Sequence, residues 1–427
     1  MMRLSTLRLH SVANNARNVV PVMNPSSRMT GVMHRSLSPA VRSSCIQGKK
    51  RTEPLFLSRF RYYSTESMAP PVRVLTVGTG AIGAIYSWRL SKNAHVTTVC
   101  RSNYDAVLRD GLKIDSKKFG GEVFVPNEGW CLFFSFPLQA YTLVCSHSCH
   151  AECCFIVVKS VPQENFDYVM VCMKALPDVY DVADIIAPAV TKGKTTVVLI
   201  QNGLGVEEPI VERYPDNPIV SIVAYIGTSQ TSPGHIKMVG DETLVAGNYK
   251  PSPVNSDTQI DAFVDLLRKG GCTVNRVDDV EQVRWQKLFW NGAFSPVCTV
   301  ARMNTTEIMK SPEAMTTVKK LMNELIESSN AMGYKYDAEE QMETMLERTR
   351  ATAMDYKPSM LLDLERGQPM EVSVILGTPL RRAKAKGLKV PNLEMMHDIL
   401  MAVQKTIKNS PERFRNLASP LTVFSGI

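Results

Sequence analysis

Between residues 72 and 200 the hydrophobic positions fall in short, nearly unbroken runs separated by polar turns. Residues 72–77, 95–100, 166–173 and 195–200 each read as a strand, and their alternation with helical spans is the pattern that builds a parallel sheet. Helical patterns fall between them at 84–90 and 178–190. Residues 221–224 and 243–247 read as later strands around a hairpin-like Ser232-Pro233-Gly234, so the sheet domain is expected to close near Tyr249. Residues 250–257 are proline-rich and polar, a linker. Beyond them a helical period dominates at 258–269, 280–300, 312–332, 338–354 and 371–386. The pattern therefore predicts an α/β domain over 69–250, an all-α domain over 257–410 and a tail over 411–427.

A chain of 427 residues has room for two or three domains of roughly 100 to 200 residues each. No apolar run approaches the roughly 18 residues of a membrane helix, so no membrane span is expected. The net charge of +8 suggests an acidic partner until it is located. Residues 1–68 carry nine Arg and two Lys against Glu53 and Glu66, a net of +9, which leaves the body at –1 and removes the case for nucleic acid. That leader is Arg-punctuated, rich in Ser and Asn, and free of acids before Glu53, the pattern of a mitochondrial presequence. The alternative is a cytoplasmic protein whose translation starts at Met68.

Five of the ten Cys crowd together as Cys131, Cys145, Cys149, Cys153 and Cys154, while the rest are scattered, as in a reducing compartment without a disulfide framework. The crowded stretch matches no common zinc spacing, so no metal site is expected. Residues 128–155 read instead as an insertion, or as translated intron sequence, where a short turn would suffice.

The first strand runs into Gly78-Thr79-Gly80-Ala81-Ile82-Gly83 and then a helix. In that setting the three glycines give a tight turn, a close backbone approach to a pyrophosphate, and tight helix packing on the strand. The expected fold is thus of the Rossmann type, with Gly78, Gly80, Ala81, Ile82 and Gly83 as cofactor-binding residues. The second strand ends in Arg101, not in the carboxylate that grips an NAD ribose, so the cofactor is expected to be NADPH. Lys174 and Asn202 close later strands, at the edge where open parallel sheets bind ligands. The plain alternatives are a bare glycine turn, a surface Arg and ordinary loop residues.

The helix 280–296 is apolar nearly all round apart from its polar start, yet Lys287, Asn291 and Ser295 fall at i, i+4 and i+8 as one polar stripe. A desolvated Lys loses proton affinity and becomes a proton donor near neutral pH. The alternative is a snorkelling Lys beside a satisfied core Asn. A second polar set holds Ser359, Asp363 and Glu371 around a short helix bounded by Pro358 and Pro369.

Taken together, the glycine turn, Cys172-Met-Lys174-Ala, Gln201-Asn202-Gly-Leu-Gly, Trp285-Gln-Lys287-Leu-x-x-Asn291, and Ser359-Met-x-x-Asp363 with Glu371 resemble the ketopantoate reductase (2-dehydropantoate 2-reductase) family over residues 72–403. The resemblance implies NADPH-dependent reduction of ketopantoate to pantoate, with Lys287 as general acid and Glu371 as its partner. Asn291 and Ser359 would bind substrate, and Lys174 and Asn202 would lie beside cofactor and substrate. Two departures stand out: Ser295 replaces a second Asn, which makes that contact shorter or water-mediated, and the Cys-rich segment has no counterpart. Competing readings are a reductase of another 2-keto acid and a catalytically silent NADPH-binding regulator. Oligomeric state is left open, a homodimer among the options.

Overall fold

The structure, a computed structural model, describes residues 71–100, 103–134, 141–145, 165–351 and 355–409, with backbone only for 128–134 and 141–145. The expected leader, Arg101, most of the Cys-rich segment and the tail lie outside the described residues.

A parallel sheet forms where the apolar runs predicted it. β1 (Arg73–Val77) lies between β2 (His95–Cys100) and β7 (Tyr168–Val171), and β8 (Thr196–Leu199) and β9 (Ile219–Ser232) follow, all parallel. Alternate residues of these strands enter different cores. Leu75, Val77, Val169, Val171, Val197 and Leu199 face the helical region, while Val74, Met170 and Val198 face α1 (Ala81–Leu90) and α5 (Asp257–Lys269). Because side chains alternate sides along a strand, a continuous apolar run is what a sheet covered on both faces requires.

Four strands ahead of β7 exceed the expectation. After α2 (Tyr104–Asp110), β3 (Leu112–Ser116) and β4 (Gly120–Phe124) form a hairpin, and β3 pairs with β10 (His235–Asn248). The segment read as an insertion starts inside the sheet: β5 (Glu128–Phe134) runs parallel to β2, and β6 (Tyr141–Cys145) pairs antiparallel to β5. β9 and β10 are 14 residues each, far longer than the apolar cores that marked them. Their outer halves alternate with polar residues and read as loop. A register shift between Val239 and Glu242, beside Gly240 at φ 69°, bends the hairpin so that its tip returns to Asn103.

The expected boundary before residue 257 also moves. Ile260, Phe263, Val264 and Leu267 of α5 pack in the core of α1 and the sheet, and β11 (Val274–Val277) pairs with β10. The amphipathic stripe of α5 specifies a helix; which body it covers is a tertiary choice.

On the sheet's other face lie α3 (Val182–Ile186) and α4 (Glu208–Arg213). The helical region comprises α6 (Val280–Asn291), α7 (Phe294–Ala301), α8 (Thr305–Lys310), α9 (Pro312–Ala331), α10 (Ala338–Ala351) and α11 (Ser359–Glu365), then a π turn at Ser373–Gly377 leading into α12 (Thr378–Ala385), and α13 (Pro391–Asn409). α9 starts with Ser311 capping the Ala314 amide and Pro312 in the first turn, and it packs centrally against α6, α10 and α13. The single helix expected at 280–300 is broken at Gly292–Ala293. Pro296 has no N–H to give the Gly292 carbonyl, so the turn cannot propagate, and α7 starts afresh.

Candidate active site

The glycine turn is held from several sides. The amides of Gly78 and Thr79 and the Thr79 hydroxyl all donate to the Val99 carbonyl, and the Asn103 amide donates to the Thr79 carbonyl. Gly78 has φ 97°, and a Cβ there would lie 2.4 Å from the Met173 nitrogen. A Cβ on Gly83 would lie 2.2 Å from the Gly78 carbonyl oxygen. Gly80 differs, because a Cβ there would meet nothing within 4 Å. The first bond of α1 runs from the Ala84 amide to Gly80, so the amides of Ala81, Ile82 and Gly83 are first-turn donors outside the helix's own i→i−4 ladder. Space over Gly80 and the positive end of α1 together fit a phosphate group. β2 ends at Cys100, so the residue expected to select the cofactor, Arg101, is outside the described residues.

Lys287 sits at the sheet's carboxyl edge. Its ammonium donates to Asn202 Oδ1 at 2.8 Å and to the Ala224 carbonyl at 2.7 Å, and lies 5.6 Å from the Tyr225 ring centroid. An ammonium only donates, so the carboxamide oxygen must face it and the Nδ2 must face elsewhere. That Nδ2 donates to Glu371 Oε2 at 3.2 Å, while Glu371 Oε1 accepts from the Ala175 amide at 3.0 Å. Lys287, Asn202 and Glu371 thus form one hydrogen-bonded chain across three distant segments. Burial, with help from the Arg284 guanidinium, lowers the Lys287 pKa to about 8, against the opposing pull of Glu371.

The other expected residues divide. Asn291 lines the same small cleft with Gln201, Gly203, Val223 and Leu288. Lys174 pairs with Asp363, whose carboxyl is pushed up to about 6 mainly by burial, against the pull of that Lys and with a smaller push from Glu371. Ser359 is exposed at the first residue of α11, one turn before Asp363. Ser295 is buried in α7, beyond the break after Asn291, so the unbroken stripe from Lys287 to Ser295 does not form.

Gly203, at φ 91°, brings the Asn202 turn against the π turn: a Cβ would meet Val374 at 2.5 Å, and the Leu204 amide donates to the Val374 carbonyl. Single π turns often mark functional sites, and this one begins two residues after Glu371. Two neighbours of Lys287 had no sequence signal. Arg284 lay in what read as the helix's polar start, and Tyr225 was hidden in the half of β9 that read as loop.

An open glycine turn after β1 and a buried amine brought by the helical region to the end of β8 lie along one sheet edge, the layout of a dinucleotide-binding oxidoreductase. The comparison with known proteins narrows that class. The model described as ketopantoate reductase PanE/ApbA matches residues 74–251, and its C-terminal counterpart matches 279–404. The chain belongs to the ketopantoate reductase family. It is 29% identical over 359 residues to a Saccharomyces cerevisiae protein described as uncharacterized, spanning 79% of this chain and 94% of that one. It is 26% identical over 324 residues to the 2-dehydropantoate 2-reductase of Nostoc sp., spanning 75% and 92%. The crystal structure of 2-dehydropantoate 2-reductase from Methylococcus capsulatus matches with a TM-score of 0.64 at 26% identity, over 79% of this chain and 98% of that one. D-mandelate dehydrogenase with NADH and anilino(oxo)acetate shares the fold, with a TM-score of 0.66 at 17% identity over 79% and 99%.

Proposed function

We propose that this chain reduces 2-dehydropantoate to (R)-pantoate with NADPH, a step toward pantothenate and coenzyme A. The supporting observation is the Lys287 ammonium, fixed by Asn202 and Ala224 and brought to a pKa of about 8. When bound, the nicotinamide supplies the hydride for the 2-keto carbon. Reduction leaves negative charge on the carbonyl oxygen, and Lys287 neutralises it by donating its proton, worth roughly 100- to 10,000-fold in rate. Glu371 holds the Asn202 amide and so keeps the Asn202 oxygen aimed at the ammonium. Asn291 and Ser359 supply amide and hydroxyl donors to the substrate. Ser295, enclosed in α7, is left a water-mediated contact at most.

The backbone from Gly78 to Gly83 would hold the pyrophosphate, Lys174 and Asn202 would flank the cofactor and substrate, and Arg101 would take the 2'-phosphate. Arg101→Ala then weakens NADPH much more than NADH in a binding titration; equal losses would remove the NADPH assignment.

A second reading keeps the chemistry and changes the acid. The Tyr225 ring is 40% exposed beside Lys287 and offers a surface to a larger apolar substituent. NADPH oxidation by the full chain, followed with ketopantoate and a panel of 2-keto acids, decides. Silence with every acid defeats both readings, while preference for another acid leaves only the second. We also propose that residues 1–68 direct import into mitochondria, because their basic, nearly acid-free composition suits a presequence. A reporter fused to those residues and staying in the cytosol would reverse this.

A further inference from the structure

The proposed reaction makes no use of the buried pair formed by Arg284 and Glu207. Their side chains are 3% and 1% exposed, and Nε lies 2.6 Å from Oε1. Arg284 also donates to the Ser221 hydroxyl at 3.0 and 2.8 Å, to the Gln201 carbonyl at 2.8 Å and to the Gly203 carbonyl at 3.1 Å. Ser221 donates in turn to Glu207 Oε1 at 2.6 Å. The two carbonyls belong to the residues on either side of Asn202, so one guanidinium holds both shoulders of the carboxamide that receives Lys287. Arg284 and Lys287 are three residues apart on α6, which puts two cations on one helix face.

We infer that Arg284 is a positioning residue for Lys287: it clamps the Asn202 turn and sets a fixed positive charge beside the ammonium, and Glu207 decides how much of that charge Lys287 feels. The inference rests on Lys287 being the proton donor. A buried ion pair is weak evidence for stability, because desolvation offsets its Coulomb attraction, and well-packed neutral side chains often do as well. Its location offers another role. In a low-dielectric interior a nearby like charge disfavours a second ammonium, and a compensating carboxylate moderates the effect.

Among the described residues few other charges face Lys287, and Arg348 of α10 acts on the neighbouring Tyr225. Glu371 acts on it through Asn202, and Tyr225 on β9 presents its ring. The Lys174–Asp363 pair lies beyond Glu371. On α9, the buried Glu324 is turned away to the amides of Asn392 and Leu393 at the start of α13. Arg284 is accordingly the cation that, after burial, does most to lower the proton affinity of Lys287.

The test reads the Lys287 titration directly, as the pH dependence of its acylation by an amine reagent measured by peptide mass spectrometry on the full chain. Arg284→Gln moves the midpoint up by about one pH unit, and Glu207→Gln, which leaves the guanidinium uncompensated, moves it down. Because breaking a buried pair from one side threatens the fold, the double variant with both substitutions is the companion measurement, and it too moves the midpoint up. Arg284→Lys keeps the charge but loses the planar fork, so the midpoint stays near that of the parent while turnover falls. A midpoint unchanged in Arg284→Gln, or in the double variant where the single one does not fold, overturns the inference. Midpoints that move as stated in a chain inert toward every keto acid would leave the charge relationship standing and remove the proton-donor reading.

Discussion

The Lys287 ammonium and the Asn202 carboxamide oxygen, 85 residues apart in the chain, meet at 2.8 Å. One comes from a helix of the α-helical region and the other from the turn after β8, so the contact exists only when the two parts of the molecule are packed together. The proposed chemistry depends on that junction.

Removing the amine separates chemistry from binding. Lys287→Ala lowers kcat by roughly 100- to 10,000-fold, the usual worth of a positioned acid. NADPH affinity, followed by the fluorescence of the reduced nicotinamide, stays within a few-fold. A parallel loss of cofactor binding would show that the Lys supports the fold instead.

The rate should fall on the alkaline side. Burial lowers the Lys287 pKa to about 8, so the protonated donor is present below that pH and disappears above it. Reduction is then level below about pH 8 and declines about tenfold per unit above it, whereas oxidation of the hydroxy acid rises over the same interval. A reductive profile still level at pH 10 would mean that another group gives the proton.

Two glycines of one turn should respond in opposite ways. A methyl group at Gly83 meets the Gly78 carbonyl at 2.2 Å, so Gly83→Ala destabilises the chain by roughly 1–3 kcal/mol, visible as a lower Tm. Gly80 has open space, so Gly80→Val leaves Tm nearly unchanged and weakens dinucleotide binding. Undiminished affinity in Gly80→Val would place the phosphate elsewhere.

Asp363 predicts a dependence of stability on pH. Its pKa is raised from 3.8 to about 6, so between those values the folded chain binds a proton that the unfolded chain releases. Stability attributable to this group is therefore full below about pH 4 and is lost as pH rises through about 6. Asp363→Asn removes that slope from plots of Tm against pH. If parent and variant give parallel curves from pH 4 to 6, the carboxyl is not shifted.

The central sheet was legible because its strands are apolar on both faces, and the glycine turn because strand, turn and helix are contiguous in the chain. Lys287, Asn202, Glu371 and Asn291 were legible as types of residue in recognisable surroundings, but spacing joined only Lys287 to Asn291, one helical turn on, and nothing in it tied that pair to Asn202 or Glu371. What escaped has a common origin. The outer halves of β9 and β10 alternate with polar residues and look like loop until they curl back over α1. α5 carries the same stripe whether it covers helices or a sheet. The break at Gly292–Ala293 was marked by Pro296, but only its consequence, the separation of Ser295 from Asn291, shows that the stripe ends.

Local pattern was enough to specify the α/β class, the helical second half and the glycine turn between β1 and α1, since each depends on residues within about a helix turn or a strand of one another. The pairing of Lys287 with Asn202, the link from Asn202 to Glu371, and the burial of Arg284 against Glu207 were decided by folding alone. A hydrogen bond or an altered proton affinity is a property of distance and dielectric surroundings, and neither exists until distant segments close on one another and exclude water.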